Sequence, residues 1–236
     1  MGPADATLAV LWEDPHGLAV AKPAGLLTQR SGRPGSEDSL EDRVRRYLSP
    51  ADPSACYLGT VHRLDRPVSG VVLWAKTPKA ARRWAEQFAG RLAVKEYWAI
   101  VGRRDEASPP LPRSGTWRDR IGRPDASGRA PIFGADAEGP GSSPASTRFE
   151  VVDDLHVPEG VARLRLWPES GRTHQLRAQA SHRGWPIVGD SAYGSARGFP
   201  RGIALHARSL VVEHPASRAP LRFEAGLPPS WSGWGG

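Results

Sequence analysis

The segment Thr60–Lys76 constrains this chain more than any other part of its sequence. The polar run His62-Arg63-Leu64-Asp65-Arg66 leads through Pro67-Val68 to Ser69-Gly70, which opens onto Val71-Val72-Leu73-Trp74. Four consecutive large apolar residues after a Ser-Gly turn read as a buried strand. The Asp65 carboxylate therefore stands at the mouth of a core strand, between two arginines. Its neighbours favour the ionised acid, and the same guanidiniums suit phosphate. That combination points to chemistry on a nucleic acid.

The bulk numbers agree. A chain of 236 residues buries a sizeable core and is most simply one domain. Its formal charge of +7, carried mostly by arginine, favours a nucleic acid or an anionic surface as partner. A generally basic chain from an arginine-rich proteome is the plainer alternative. Cys56 is the only cysteine, so intrachain disulfides and cysteine-based zinc clusters are excluded, as suits a reducing compartment. The N-terminus lacks a basic-then-apolar signal pattern, and no apolar run approaches ~18 residues. The expectation is a cytoplasmic protein with no membrane association. Nine tryptophans serve core packing, rim packing or stacking on bases.

Apolar runs at 8–12 and 18–22 flank Asp14-Pro15-His16-Gly17 and read as two strands around a turn. A Gly/Ser/Pro loop follows from Ser31 to Gly35. Leu40, Val44, Tyr47 and Leu48 form one helical face behind Ser39 as N-cap. Thr77-Pro78 starts a second helix whose inner face is Ala81, Trp84, Ala85 and Phe88, with Gly90 near its end. Strands are expected at 71–74, 94–101, 147–152 and 161–167, and short runs near 203–206, 209–213 and 221–224. Residues 103–146, rich in Gly, Pro, Ser, Asp and Arg, read as a mobile insertion with short strands. A helix near 174–182 follows Gly171-Arg172-Thr173 and closes at Gly184. The tail Ser230–Gly236 shows no packing pattern. Many strands, few helices and no regular βαβ alternation predict an α+β fold with a mixed, largely antiparallel sheet and flanking helices and loops. The expected organisation is a single catalytic domain over 1–236, its core at about 8–228, with no S4-like RNA-binding module ahead of it.

Three elements carry chemistry: Arg63–Asp65, Lys95-Glu96-Tyr97-Trp98-Ala99, and Gly171-Arg172-Thr173-His174-Gln175-Leu176-Arg177. An aspartate acts as nucleophile or general base only when ionised. Desolvation opposes ionisation and a nearby guanidinium restores it; Arg177 is a candidate for that counter-charge. Tyr97 offers a face on which an extruded base can stack, a contact worth about 1–3 kcal/mol.

These blocks resemble the RluA-type pseudouridine synthases, RNA uridine isomerases that require no cofactor. His62-Arg-Leu-Asp65, Ser69-Gly70 and Ala75-Lys76 resemble their catalytic motif. Leu11–Asp14 with Val20–Gly25 resembles their N-terminal motif, and Lys95–Ala99 their tyrosine motif. Gly171–Arg177, His182, Pro186–Asp190 and Tyr193-Gly194 resemble the third block; Ala204–Ala207, Phe223 and Leu227-Pro228 complete the series. The resemblance runs in order from about residue 8 to 228. It implies the pseudouridine synthase catalytic fold and Asp65 as the catalytic residue. It also implies Tyr97 against the target base, with a part in proton abstraction from C5, and Arg177 as salt-bridge partner of Asp65. Arg63, His62, Lys22, Arg172 and His174 are the implied RNA-binding set. The implied partner is structured RNA, ribosomal RNA favoured and transfer RNA the alternative, bound by a monomer with no DNA, metal or cofactor. Whether the aspartate attacks C1′ or abstracts a sugar proton to give a glycal stays open. Two departures stand out: Val68 where the family commonly has Thr, and Leu26-Leu27-Thr28-Gln29 where it often carries His or Pro.

Plainer readings stand beside these. Asp65 can bridge arginines structurally, Tyr97 can be core, and Arg177 can be a solvated helix residue. The cluster Arg43, Arg45, Arg46 reads as a solvated face. His62, His174 and His182 invite a metal-dependent hydrolase reading, but His174 and His182 lie eight apart, too far for the usual i, i+4 pair. An RNA-folding module using the same pocket without turnover is the other rival.

Overall fold

Asp14 turns the chain at its first hairpin. Its Oδ1 accepts the backbone N–H groups of His16 and Gly17 at 2.7 and 2.8 Å, folding β1 (Ala9–Glu13) back onto β2 (Gly17–Lys22). The computed structural model describes residues 8–30, 38–152 and 158–234. The expected loop at Ser31–Gly35 and the last two glycines lie outside the described residues. The chain divides into two compact units. Residues up to Ala93 join Ser209–Gly226 in the first; Val94–Arg208 and the residues from Leu227 onward form the second.

The first unit is built on β4 (Ser69–Ala75), every residue of which is buried. β4 runs antiparallel to β2, from Lys22 opposite Gly70 to Gly17 opposite Ala75. β3 (Gly59–Thr60), too short to show in the sequence pattern, pairs with its last two residues. Helix α1 (Leu40–Leu48) starts at Ser39, whose side chain forms a capping box with Asp42, and buries Leu40 and Val44. Helix α2 (Pro78–Ala89) begins behind Thr77 with proline in its first turn. Trp84 is fully buried among Ala19, Val71, Leu73, Leu210 and Val212. The expected inner face is rotated: Ala85 is exposed, while Gln87 is 3 % exposed. Gln87 turns inward because its amide pairs with both backbone groups of Glu213, satisfying them as a neighbouring strand would. The runs near 203–206 and 209–213 form one strand, β10 (Leu205–Glu213), whose second half pairs with β11 (Pro220–Glu224).

In the second unit, β5 (Val94–Gly102), β9 (Val161–Pro168), β8 (Ser143–Val152), β6 (Ser114–Ile121) and β7 (Ile132–Gly134) lie side by side in that order, all antiparallel. The stretch read as an insertion thus supplies β6, β7 and the start of β8. Its apolar residues are sparse because only alternate positions, such as Trp117, Ile121 and Ala145, face the core. Helix α3 (Gln175–His182) lies on that inner face, where Gln179 bonds Asp119 at 2.7 Å and Thr147 at 2.7 Å. The C-terminal segment departs from the expected loose tail. Pro229–Trp234 forms a 3₁₀ helix whose Trp231 is buried against the rings of Phe199 and His206. The architecture is α+β with a mixed, largely antiparallel pattern. Among the described residues no helix is long and apolar enough to cross a membrane.

A Cβ at Gly17 would lie 2.3 Å from Cη2 of Trp84 and 3.0 Å from the Trp74 carbonyl. Gly17→Ala is therefore expected to destabilise the fold by about 1–3 kcal/mol through overpacking. Urea unfolding checks this; an unchanged midpoint would show that the Trp84 indole yields freely.

Candidate active site

Asp65 sits on a turn closed by the Val68 N–H, which donates to the Asp65 carbonyl at 3.1 Å. The turn is fastened from beneath by Lys22, at the end of β2. The Lys22 ammonium donates to the carbonyls of Leu26, Pro23 and Arg66 at 2.7, 3.1 and 3.2 Å, so three donors meet three acceptors. Its side chain is 1 % exposed. Burial draws its pKa down to about 7; the Asp65 charge opposes the fall and Arg66 deepens it.

Further bonds join the same two segments. Thr28 Oγ1 donates to the Leu64 carbonyl at 2.7 Å and accepts the Leu64 N–H at 3.2 Å. Arg66 Nε donates to the Gly25 carbonyl, and the Gly25 N–H returns a bond to the Arg66 carbonyl at 2.8 Å. Gly25 holds φ at 87°, a value that suits glycine. His62 Nε2 accepts the Leu73 N–H at 2.9 Å, and its ring stacks on Phe88. The result is a turn with Leu64 buried, Asp65 half-buried, and Arg63 and Arg66 exposed.

Lys22 and His62, both in the expected RNA-binding set, make bonds within this unit. Lys22 is enclosed and offers no surface to phosphate. His62 spends Nε2 on β4. Lys22 turns toward the loop that follows β2, and His62 toward β4 and Phe88. Thr28 supports the Asp65 turn without any role read from its sequence. It lies inside the stretch that departs from the family pattern, and that departure was its one signal.

The second unit places the other expected residues. Tyr97 lies on β5 opposite Leu166, half-buried, on the sheet face that also carries Phe149. Lys95 reaches the Ser170 carbonyl at 3.1 Å, tying β5 to the segment before α3. His174 caps α3 in the left-handed region at φ 56°, with Nδ1 at 3.0 Å from the Tyr193 hydroxyl. That hydroxyl also accepts the Ala130 N–H. Arg172 is exposed and bonds the Pro144 carbonyl.

Arg177, implied as the partner of Asp65, forms a bidentate pair with Asp190: Nε to Oδ2 at 2.7 Å and Nη2 to Oδ1 at 2.9 Å. Both residues are buried, and the guanidinium lies 4.9 Å from the Tyr193 ring centre. Asp190 belongs to a motif block quoted for the resemblance, yet nothing in its spacing gave it a role. An open cavity of about 450 Å³ lies nearby, lined by Arg104, Arg129, His182 and Tyr193 among others.

Among the described residues, Asp14, His16 and His214 form a group close enough to hold a metal ion. Their hydrogen bonds give a structural reading. His214 Nδ1 accepts the Ala216 and Ser217 N–H groups, so its proton lies on Nε2, which donates to Asp14 Oδ2 at 2.7 Å. Burial pushes the Asp14 pKa up, but the bonds from His214, His16 and Gly17 outweigh it and hold the carboxyl below its ordinary value.

A family model described as RNA pseudouridylate synthase matches residues 16–182, a span that holds Asp65, Tyr97 and Arg177. The chain is similar to tRNA pseudouridine synthase C of Salmonella typhimurium, at 34% identity over 95% of this chain and 87% of the relative. It is similar to the dual-specificity RNA pseudouridine synthase RluA of Escherichia coli strain K12, at 33% identity with 94% of each chain covered. It is also similar to ribosomal large subunit pseudouridine synthase D of Pseudomonas aeruginosa, at 31% identity over 95% of this chain and 69% of the relative. Among solved structures, human RNA pseudouridylate synthase domain containing 1 aligns with a TM-score of 0.74 and 26% identity, over 97% of this chain and 87% of that one.

Two outcomes follow from the geometry. In the unfolded chain Lys22 keeps its proton up to its ordinary value of 10.5, whereas in the fold it releases it at about 7. Between those values the unfolded state holds the extra proton, so this group adds stability as pH rises. The stability gap between wild type and Lys22→Met should therefore widen in favour of wild type from about pH 7 to pH 9; urea unfolding at both values tests this, and a constant gap contradicts it. Asp190→Ala strands a buried guanidinium and is expected to cost about 3–5 kcal/mol, read as a lowered thermal midpoint.

Proposed function

This chain belongs to the RNA pseudouridylate synthase family, and from that premise we propose that it isomerises uridines of structured RNA through the carboxylate of Asp65. Ribosomal RNA is the favoured substrate class and transfer RNA the other; relatives named for each support this choice. The observation that carries the reading is the Asp65 turn: a half-buried carboxylate fastened by Lys22 and Thr28, between two exposed arginines.

The reaction is balanced within one nucleotide. The N1–C1′ bond breaks, the uracil turns, and a C5–C1′ bond forms. The C5 proton leaves and a proton is gained at N1. No electrons change hands and no group is imported, so the residues' task is to expose, hold and reorient the base. The target must leave its stack, at a cost of a few kcal/mol, which arginine contacts to phosphate offset in a salt-dependent way.

Asp65 is the proposed catalytic residue, acting at the sugar. Tyr97 is proposed to face the uracil and to take part in removing the C5 proton, and Arg177 to act as salt-bridge partner of Asp65. Arg63, exposed beside Asp65, is proposed to hold RNA where the uridine has left the helix, with Arg172 and His174 as further contacts. A cytoplasmic monomer suffices for all of these steps.

Asp65→Asn keeps the shape of the side chain and removes its nucleophilicity and basicity. It is expected to abolish tritium release from RNA labelled at uridine C5, while filter binding shows the RNA still retained. Release at the wild-type rate by the variant would remove Asp65 from the chemistry.

A further inference from the structure

The outer face of the second unit's sheet carries a pattern the proposed chemistry does not use. Registry places Arg148 opposite Trp167 and Arg165 opposite Trp98, and the pleat puts Arg118 on the same face. Tyr97 and α3 belong to the opposite face, with Leu166 and Thr147. The Arg148 guanidinium lies 3.7 Å from the Trp167 ring centre, and Trp98 is approached by Arg165 and Arg208 at 5.6 and 5.5 Å. Arg118, Arg148 and Arg165 are exposed and Trp167 is partly so.

We propose that this face is a second RNA-contact surface, which binds an unpaired stretch of the substrate RNA away from the target uridine. The proposal rests on the reading that the substrate is RNA. A guanidinium laid flat on an indole presents a rigid, cationic plate, and such plates stack bases. Arginines one strand or two residues away meet the flanking phosphates. Shielding of tryptophan from water is the simpler account of Arg148, but it gives Arg118 no purpose on a face where no tryptophan lies opposite it. Glu96 and Glu150 are the acids of these strands on this face, and Glu96 is engaged with the Trp98 indole N–H at 2.9 Å. A net positive, aromatic-studded surface fits a polyanion with π-faces rather than an apolar protein partner.

The test uses the full chain and an adenosine-only RNA decamer, which has no uridine to isomerise. The triple variant Arg118→Ser, Arg148→Ser, Arg165→Ser should bind it at least tenfold more weakly. The slope of log affinity against log salt should fall by about 2, as expected for three lost single-strand phosphate contacts. The matching triple Lys variant should restore that slope. Turnover of saturating uridine-containing RNA by the Ser variant should match wild type. Ultraviolet cross-linking of the wild type to the decamer should label the peptide holding Trp167 or Trp98, a readout that needs no variant to fold. Unchanged affinity and slope in a folded Ser variant would overturn the proposal and leave an acidic protein as the better partner; so would cross-links confined to other peptides. Asp65→Asn should bind the decamer as wild type does, so failure of the catalytic assignment and failure of this one are read separately.

Discussion

One buried ammonium organises the Asp65 turn. Lys22 leaves β2 at the point where β4 begins opposite it, and its three donors meet three carbonyls, two on the following loop and one from Arg66. Desolvation resists the charge strongly enough to bring its pKa to about 7. The carbonyls and the nearby Asp65 carboxylate are what make a charge there tolerable. The same contacts that satisfy the lysine therefore fix the backbone around Asp65. The catalytic role proposed for Asp65 asks for this kind of support, because misplacement by ~1 Å can cost about 10²-fold in rate.

Thr28 reinforces the arrangement in a way a hydrophobic residue cannot. Its hydroxyl both donates to and accepts from the backbone of Leu64, one residue before the acid. The Arg66–Gly25 exchange does the same one residue after it. The acid is thus bracketed, and Arg63 and Arg66 are left at the surface. In the second unit Arg177 is treated similarly. Asp190 grips two of its nitrogens, and Tyr193 lies under the guanidinium, so its direction is set before any substrate binds. Fixed charges and donors lower barriers because they need no reorganisation during the reaction.

Much of this was legible in the residues. Caps at Ser39 and Thr77, the buried run 71–74 and the alternation in β8 and β9 follow from local rules, and the structure has them. The α+β class followed from their order. The motif blocks identified the family and the order of its candidate residues. What local pattern did not carry were partners distant in sequence: Thr28 with Leu64, Gln87 with Glu213, Arg177 with Asp190. Ala85 looked apolar enough for the core, but Gln87 took the place because two backbone groups needed it. Residues 103–146 carry few apolar residues because an antiparallel sheet with one polar face uses half as many. Of the arginines in this stretch, Arg118 and Arg120 lie on β6.

The central claim is that the Asp65 turn is built before RNA arrives. Amide hydrogen exchange at Gly25, Leu64 and Val68 tests it most directly, since each of these N–H groups closes one of the bonds around the acid. The account expects protection comparable to that of β4 in the RNA-free protein, and loss of it at these three amides in Lys22→Met while β4 stays protected. Exchange at the rates of an open loop in the wild-type protein would contradict it.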